Sequence, residues 1–216
     1  MTARALLLLL LVLLPAGCAT SPQTAEGSAE RAVEQTFESY RRALLARDGA
    51  AAADLVTEQT WAFYRDWADR ALTADRVALM ESPLVDRVSV LLMRHGMAPA
   101  QLREMSGKEI FAHAVERGWI SRDGTSNLRL TEYRADGSTA HARVVGRSGQ
   151  VSDIMLRFVR QEGRWRLDVP DMVDTSRSAV ALAVALSDMT QEEFLYHALE
   201  DGTGRRPGPE IWNPPS

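Results

Sequence analysis

The chain has 216 residues, of which 45% are hydrophobic and 25% are charged, and its formal net charge is −4. This length and composition predict one globular domain with a full hydrophobic core. The mildly acidic balance argues against a nucleic-acid-binding protein. Cys18 is the only cysteine, which excludes an internal disulfide and a thiolate metal cluster.

The first 17 residues have the pattern of a targeting segment. Arg4 supplies a positive charge, and an unbroken apolar run follows at Leu6–Leu14. A helix that crosses the hydrocarbon core needs about 20 apolar residues, so this run is too short for a membrane span. It is typical of a signal peptide, which we place at residues 1–17.

Small or turn-forming residues stand directly before Cys18, namely Pro15, Ala16 and Gly17. The run from Leu14 to Cys18 resembles the bacterial lipoprotein box, with Pro15 where that family usually has leucine. The resemblance implies that signal peptidase II cleaves after Gly17, that Ala16 and Gly17 fit the cleavage site, and that Cys18 is then acylated. Ordinary secretion, with Cys18 as an incidental residue, is the alternative.

The residue after the cysteine bears on the membrane to which such a protein is sorted. Ala19 stands where lipoproteins retained in the inner membrane of enteric bacteria have aspartate, so the resemblance implies an outer-membrane protein facing the periplasm. Several acyl chains on one cysteine would anchor it stably. Residues 18–27 are small and polar, and they predict a flexible tether between the lipid and the domain.

Residues 28–118 predict a series of helices, each with one apolar face. Capping residues mark four helix starts, at Ser28, Thr57, Ser82 and Ser106, and the last of these forms a capping box with Glu109. The apolar side chains that follow each cap recur at helical spacing. We therefore expect residues 57–118 to be wholly helical.

Residues 126–170 alternate between apolar and polar side chains, which predicts four strands in an antiparallel meander covered on one side. The hairpin at residues 154–169 is the best-defined part. Asp136-Gly137 marks one turn, and Gln161–Gly163 reads as a three-residue turn with glycine at a positive φ. Together with the preceding helices, this pattern predicts an α+β fold.

The motif Gly163-Arg164-Trp165-Arg166-Leu167, after a long and then a short helix, resembles bacterial members of the nuclear transport factor 2-like superfamily. The resemblance covers residues 30–172. It implies a curved sheet wrapped on a helical layer, a cone with a pocket at its wide end, and we assign this domain to residues 28–174. That family usually places a strand among the early helices, where this sequence predicts helix alone.

Residues 175–216 predict a helical extension and a proline-rich tail. The stretch 176–187 has a strand period but an alanine-rich composition, and we favour helix. Thr190 opens a second capping box with Glu193. In the tail, Trp212 is predicted to hold the chain end against the domain, and a docking peptide for an envelope partner is the alternative.

The sequence offers four candidates for lining a pocket. Trp61, Tyr64 and Trp67 lie at helical spacing, a pattern equally typical of core packing, and His113 lies at the edge of an apolar helix face. The four histidines of the chain are too far apart in sequence to form a metal pair. The acidic residues at positions 168, 171 and 174 predict a solvated turn rather than a calcium loop. We predict no metal and no cofactor, and we assign no catalytic residue.

These observations predict a lipid-anchored envelope protein that binds a small apolar ligand or an envelope protein without catalysis. The superfamily resemblance implies an alternative, an isomerase or dehydratase with a pocket Asp or His as general base. A structural subunit of an envelope assembly is the third hypothesis. The interior of the cone discriminates among them: an apolar cavity favours ligand binding, a buried Asp or His beside a Tyr favours the enzyme, and a filled interior with an exposed apolar patch favours a partner.

Overall fold

The computed structural model describes residues 22–120, 128–146 and 148–215. The predicted signal peptide, Ala16, Gly17 and Cys18 lie outside the described residues. Within them the fold is α+β, as predicted. Helices form the first half, an antiparallel sheet follows, and further helices close the chain.

The described part of the chain contains nine α-helices, four strands and one short 3₁₀ helix. The helices before the sheet are α1 (Pro22–Ala46), α2 (Gly49–Asp54), α3 (Glu58–Thr73), α4 (Arg76–Met80), α5 (Leu84–Gly96), α6 (Pro99–Glu104) and α7 (Gly107–Glu116). The strands are β1 (Arg129–Asp136), β2 (Thr139–Val145), β3 (Val151–Gln161) and β4 (Arg164–Leu167). The sheet is followed by α8 (Val169–Ala185), α9 (Gln191–Thr203) and the 3₁₀ helix at Pro209–Trp212.

The predicted caps at Thr57 and Ser106 are confirmed. The Thr57 hydroxyl accepts the backbone N–H of Thr60, and Ser106 forms a capping box with Glu109. The cap predicted at Ser82 is wrong, because Pro83 takes the N-cap position and the Ser82 hydroxyl donates instead to the carbonyl of Ala78.

The predicted start of the first helix at Ser28 is also wrong. α1 begins at Pro22, so residues 22–27 are helical and do not continue the expected tether. Proline suits the first turn of a helix, because the backbone N–H that it lacks would form no hydrogen bond within the helix there. The Gln, Ala and Glu residues that follow are good helix formers.

The sheet has the order β1-β2-β3-β4 with antiparallel neighbours, which confirms the predicted meander. The β3–β4 connection differs from the predicted three-residue turn. Gln161 pairs with Arg164, so only Glu162 and Gly163 form the turn, with φ of 50° and 79°. Positive φ at both positions is the backbone of a two-residue hairpin turn whose twist matches that of the strands.

The free edge of β4 is covered by the segment between α2 and α3. The N–H of Thr57 donates to the carbonyl of Leu167 at 3.0 Å. The N–H of Leu167 donates to the carbonyl of Leu55 at 2.8 Å. Val56 and Leu167 thus form an isolated parallel bridge. Within residues 58–116 the structure contains helices and short connections, which confirms the prediction for this region.

α8 confirms the helix favoured at residues 176–187, but it starts earlier than expected. It begins at Val169 and runs across the predicted boundary between residues 174 and 175. The prediction of a solvated turn at Asp168, Asp171 and Asp174 is therefore wrong. Pro170 suits the first turn of a helix, and Asp168 lies buried at the N-cap position.

The end of the chain packs on the helices. Thr190 and Glu193 form the predicted capping box at the start of α9. Ile211 and Trp212 are buried, and the guanidinium of Arg76 lies 5.0 Å from the centre of the Trp212 ring. The prediction that Trp212 holds the tail against the domain is confirmed.

Candidate functional site

A cavity of about 390 Å³ lies between α1, the inner face of the sheet and α8. Its position follows from two sequence periods: helical spacing on α1 and alternation along the strands direct apolar side chains to the same space. α1 contributes Phe37, Tyr40 and Leu44, and the sheet and its flanks contribute Leu128, Val144, Ile154, Leu156 and Leu167; Ile120, Met172 and Ser176 complete the wall.

The wall has a buried inner part and a partly exposed rim. The side chains from α1 are nearly inaccessible to solvent, and Val144, Leu156 and Leu167 are equally buried. Ile154 on β3 is 40% exposed, and Met172 and Ser176 on α8 are half-buried. The rim therefore includes both β3 and the first half of α8.

Two polar side chains contribute to the otherwise apolar wall, and the described lining residues include no charged group. The hydroxyl of Ser176 donates to the carbonyl of Val173 at 2.8 Å. The hydroxyl of Tyr40 forms no hydrogen bond with the described residues, and its oxygen is not among their fully enclosed polar atoms without a partner. Burial raises the pKa of Tyr40, and the nearby Tyr64 raises it further, so this hydroxyl stays protonated and able to donate.

Two of the predicted pocket residues lie together elsewhere. Tyr64 and Trp67 line a second space of about 50 Å³, which adjoins the cavity through the shared residue Ile120. Their ring centres are 5.1 Å apart, and Tyr64 also meets Phe111 edge to face at 4.9 Å. A space of this size holds only a few water molecules. These aromatic rings are packed among one another as core.

The other two candidates are separate from both spaces. The indole N–H of Trp61 donates to the carbonyl of Ala53 at 3.1 Å, and the ammonium of Lys108 lies 5.0 Å from its ring. His113 packs edge to face on Trp119 at 5.6 Å. Burial lowers the pKa of His113, and the neighbouring Arg117 adds to this effect, so its imidazole is neutral at pH 7.

A buried carboxylate lies near the cavity but outside its wall. Asp168, at the junction of β4 and α8, accepts from the guanidinium of Arg157 at 2.6 Å. Burial raises the pKa of Asp168, and the charge of Arg157 opposes part of that rise. The described lining residues include no Asp and no His. In the described part of the chain, no group of His, Cys, Asp and Glu side chains is arranged to hold a metal ion.

The residues that sequence reasoning missed are those of the cavity itself. Phe37, Tyr40 and Leu44 stand out in the sequence as one apolar helix face, which is the only signal that they carry. Comparison with protein-family models, with curated proteins and with solved structures finds no match. Among the described helices, none is both long enough and apolar enough to cross a bilayer.

Proposed function

We propose that this protein binds a small apolar ligand in the cavity between α1, the sheet and α8. The observation that carries the proposal is the size and chemistry of this cavity: about 390 Å³, with an uncharged and almost wholly apolar described wall. Sites for small molecules typically have volumes of about 300–1,000 Å³ and apolar linings with a few polar groups.

The hydration of the cavity gives a second argument. The cavity is open at its rim, so water can enter it. Water gains little from an apolar wall, because each water needs two to four polar partners. An apolar ligand would recover contacts that neither water nor the protein supplies.

We also propose that the domain is a nuclear transport factor 2-like cone carried by a lipid anchor at Cys18. The meander and the α1 packing against it support the cone, and the lipobox-like sequence supports the anchor. α1 begins four residues after Cys18. At about 1.5 Å per helical residue, its first residue lies about 27 Å along the axis from Tyr40. The cavity would then be held away from the outer membrane and towards the periplasm.

The other hypotheses stay predictions. Binding of an envelope protein and a role as a structural subunit both need an exposed contact surface, and the apolar residues Leu182 and Leu186 on α8 are 60% and 79% exposed. An isomerase or dehydratase needs a general base at the bound substrate. No Asp or His from the described residues supplies one in the cavity wall.

A titration with the neutral dye phenylnaphthylamine tests the proposed site. We expect saturable binding with one dye per chain, and loss of binding in Ser176→Trp, which places an indole at the cavity rim. Ser178→Trp is the matched control, since Ser178 is exposed on the same helix and outside the wall. Val144→Phe, which fills the inner part, is a second variant. Circular dichroism checks that each variant is folded.

Two results would contradict the proposal. One is the absence of saturable dye binding to the wild type. The other is unchanged binding in both folded variants, Ser176→Trp and Val144→Phe, which would place the dye elsewhere on the protein.

A further inference from the structure

The hydroxyl of Tyr40 is an unused hydrogen-bonding group in the wall of the cavity. The residue is 3% exposed, yet its hydroxyl oxygen is not among the fully enclosed polar atoms without a partner, so a small molecule can reach it. Water at this hydroxyl finds few other partners, because the surrounding wall is apolar. A ligand oxygen beside Tyr40 would supply the missing bond.

The charge of the wall restricts that oxygen to a neutral group. The described residues of the wall include no cation to pair with a carboxylate and no anion to pair with an ammonium group. An ionised group buried without a partner is far more costly than a neutral hydroxyl or carbonyl that is hydrogen-bonded. The described part of the wall therefore favours a neutral hydroxyl or carbonyl as the polar end of the ligand.

The apolar surface continues from the rim of the cavity along α8. Met172 and Ser176 belong to the wall, and Ala179 and Ala183 follow them at spacings that return to the same side of a helix. Both alanines are exposed. Residues 178–187 contain no charged side chain, and in this stretch Val184 alone is buried. We call the side formed by Met172, Ser176, Ala179 and Ala183 the α8 track.

We propose that the ligand is a neutral single-chain lipid, such as a fatty alcohol or aldehyde, whose oxygen pairs with Tyr40 and whose chain leaves the cavity along the α8 track. The inference rests on the proposed function and specifies its ligand. Two separate features support it. One is the Tyr40 hydroxyl in the cavity wall, and the other is the uncharged α8 track, which continues the wall beyond the rim. Each feature has its own test.

The first test compares dodecanol, dodecane and dodecanoate as competitors of phenylnaphthylamine on the full chain. In the wild type, dodecanol binds about fivefold more tightly than dodecane, as one added hydrogen bond predicts. Dodecanoate binds more weakly than dodecanol at neutral pH. In Tyr40→Phe, which removes the hydroxyl and keeps the ring, dodecanol binds no more tightly than dodecane, because its own hydroxyl then has no partner, and dodecane binding is unchanged from the wild type.

The second test changes one side of α8 at a time. Ala183→Glu places a charge on the α8 track, whereas Ala185→Glu places the same charge on another side, since two residues turn a helix by about 200°. We expect Ala183→Glu to weaken hexadecanol about tenfold, equivalent to about two lost methylene contacts. Octanol, whose chain is shorter, changes less than twofold. Ala185→Glu leaves both alcohols unchanged.

The outcomes separate this inference from the proposed function. If dye and alkane bind but dodecanol has no advantage, or if Tyr40→Phe weakens both equally, the cavity binds ligands and the role of Tyr40 is wrong. If Ala183→Glu leaves hexadecanol unchanged, or dissociates a wild-type dimer in sedimentation velocity, the role of the α8 track is wrong. If none of the probes binds, the proposed function itself fails.

Discussion

Asp86 and Arg177 form a bidentate ion pair between α5 and α8. Nε and Nη2 of Arg177 donate to the two carboxylate oxygens of Asp86 at 2.8 and 2.9 Å. The indole N–H of Trp67 on α3 donates to the same carboxylate at 3.0 Å. Asp86 is 3% exposed, so one buried carboxylate joins three helices. It holds the middle of α8, whose first half forms part of the cavity rim.

Removal of the guanidinium should therefore destabilise the fold. Arg177→Met leaves the Asp86 carboxylate buried with only the Trp67 donor, and we expect a loss of about 2–3 kcal/mol in the free energy of unfolding. Asp174→Asn is the control: Asp174, the exposed second partner of Arg177, should contribute no more than about 0.5 kcal/mol. Urea unfolding measures both variants, and equal stability of the two would contradict the role of Asp86.

Tyr40 in the cavity wall and Tyr64 in the adjoining space predict how the free energy of unfolding changes at alkaline pH. Burial raises the pKa of both Tyr40 and Tyr64 above the ordinary value of about 10. The folded state then holds these two protons more tightly than the unfolded state. Their contribution to stability is fully present below about pH 10 and is lost as the pH rises above it. Burial also raises the pKa of Tyr133, to about 12, so this third tyrosine belongs to the same range.

We expect the free energy of unfolding of the wild type to fall above about pH 10. The double variant Tyr40→Phe/Tyr64→Phe should fall less steeply, because it lacks two of the tyrosines whose pKa is raised in the folded state. Urea unfolding from pH 7 to about pH 11 gives both curves, and the values at pH 7, where Tyr40 and Tyr64 are protonated, provide the reference. Parallel slopes in the alkaline range would show that these tyrosines are not buried as described.

Local signals predicted much of this fold. The capping boxes at Ser106 and Thr190 and the turn at Gly137 depend on nearby residues, so the sequence shows them directly. The sequence does not locate the starts of α1 and α8, because Pro22 and Pro170 are also typical of a break in a helix. Proline in a first helical turn breaks no hydrogen bond, so the same residue is compatible with both structures.

The cavity could not be predicted in the same way. Helical spacing shows that Phe37 and Tyr40 face inward, but it does not show whether the space before them is filled. That depends on how α8 lies across the sheet, which is fixed by distant contacts such as the pair of Asp86 and Arg177. The aromatic side chains of α3 lie at helical spacing, and such a stripe is as typical of core as of a pocket.

Close packing of α2 on α7 depends on the absence of a side chain at Gly49. A Cβ there would overlap the backbone carbonyl of Ala112. We expect Gly49→Ala to lower the free energy of unfolding by about 1–3 kcal/mol, because the two helices must separate. Gly146→Ala is the control, since no described atom lies within 4 Å of its Cβ position. Similar melting temperatures of the two variants would contradict the close approach.

The buried Trp212 distinguishes a tail that stabilises the domain from one that docks on a partner. Besides the Arg76 contact, Arg94 fixes the tail through its bond to the carbonyl of Ile211 at 3.0 Å. Trp212→Ala should lower the free energy of unfolding by about 3–5 kcal/mol. Trp212→Phe should lower it less. The phenyl ring keeps part of the apolar burial, and the substitution removes an indole N–H that has no partner among the described residues.

Thermal unfolding ranks the wild type, Trp212→Phe and Trp212→Ala, and limited proteolysis should release the tail first from Trp212→Ala. If the alanine variant were as stable as the wild type, the tail would be free of the domain and available to a partner.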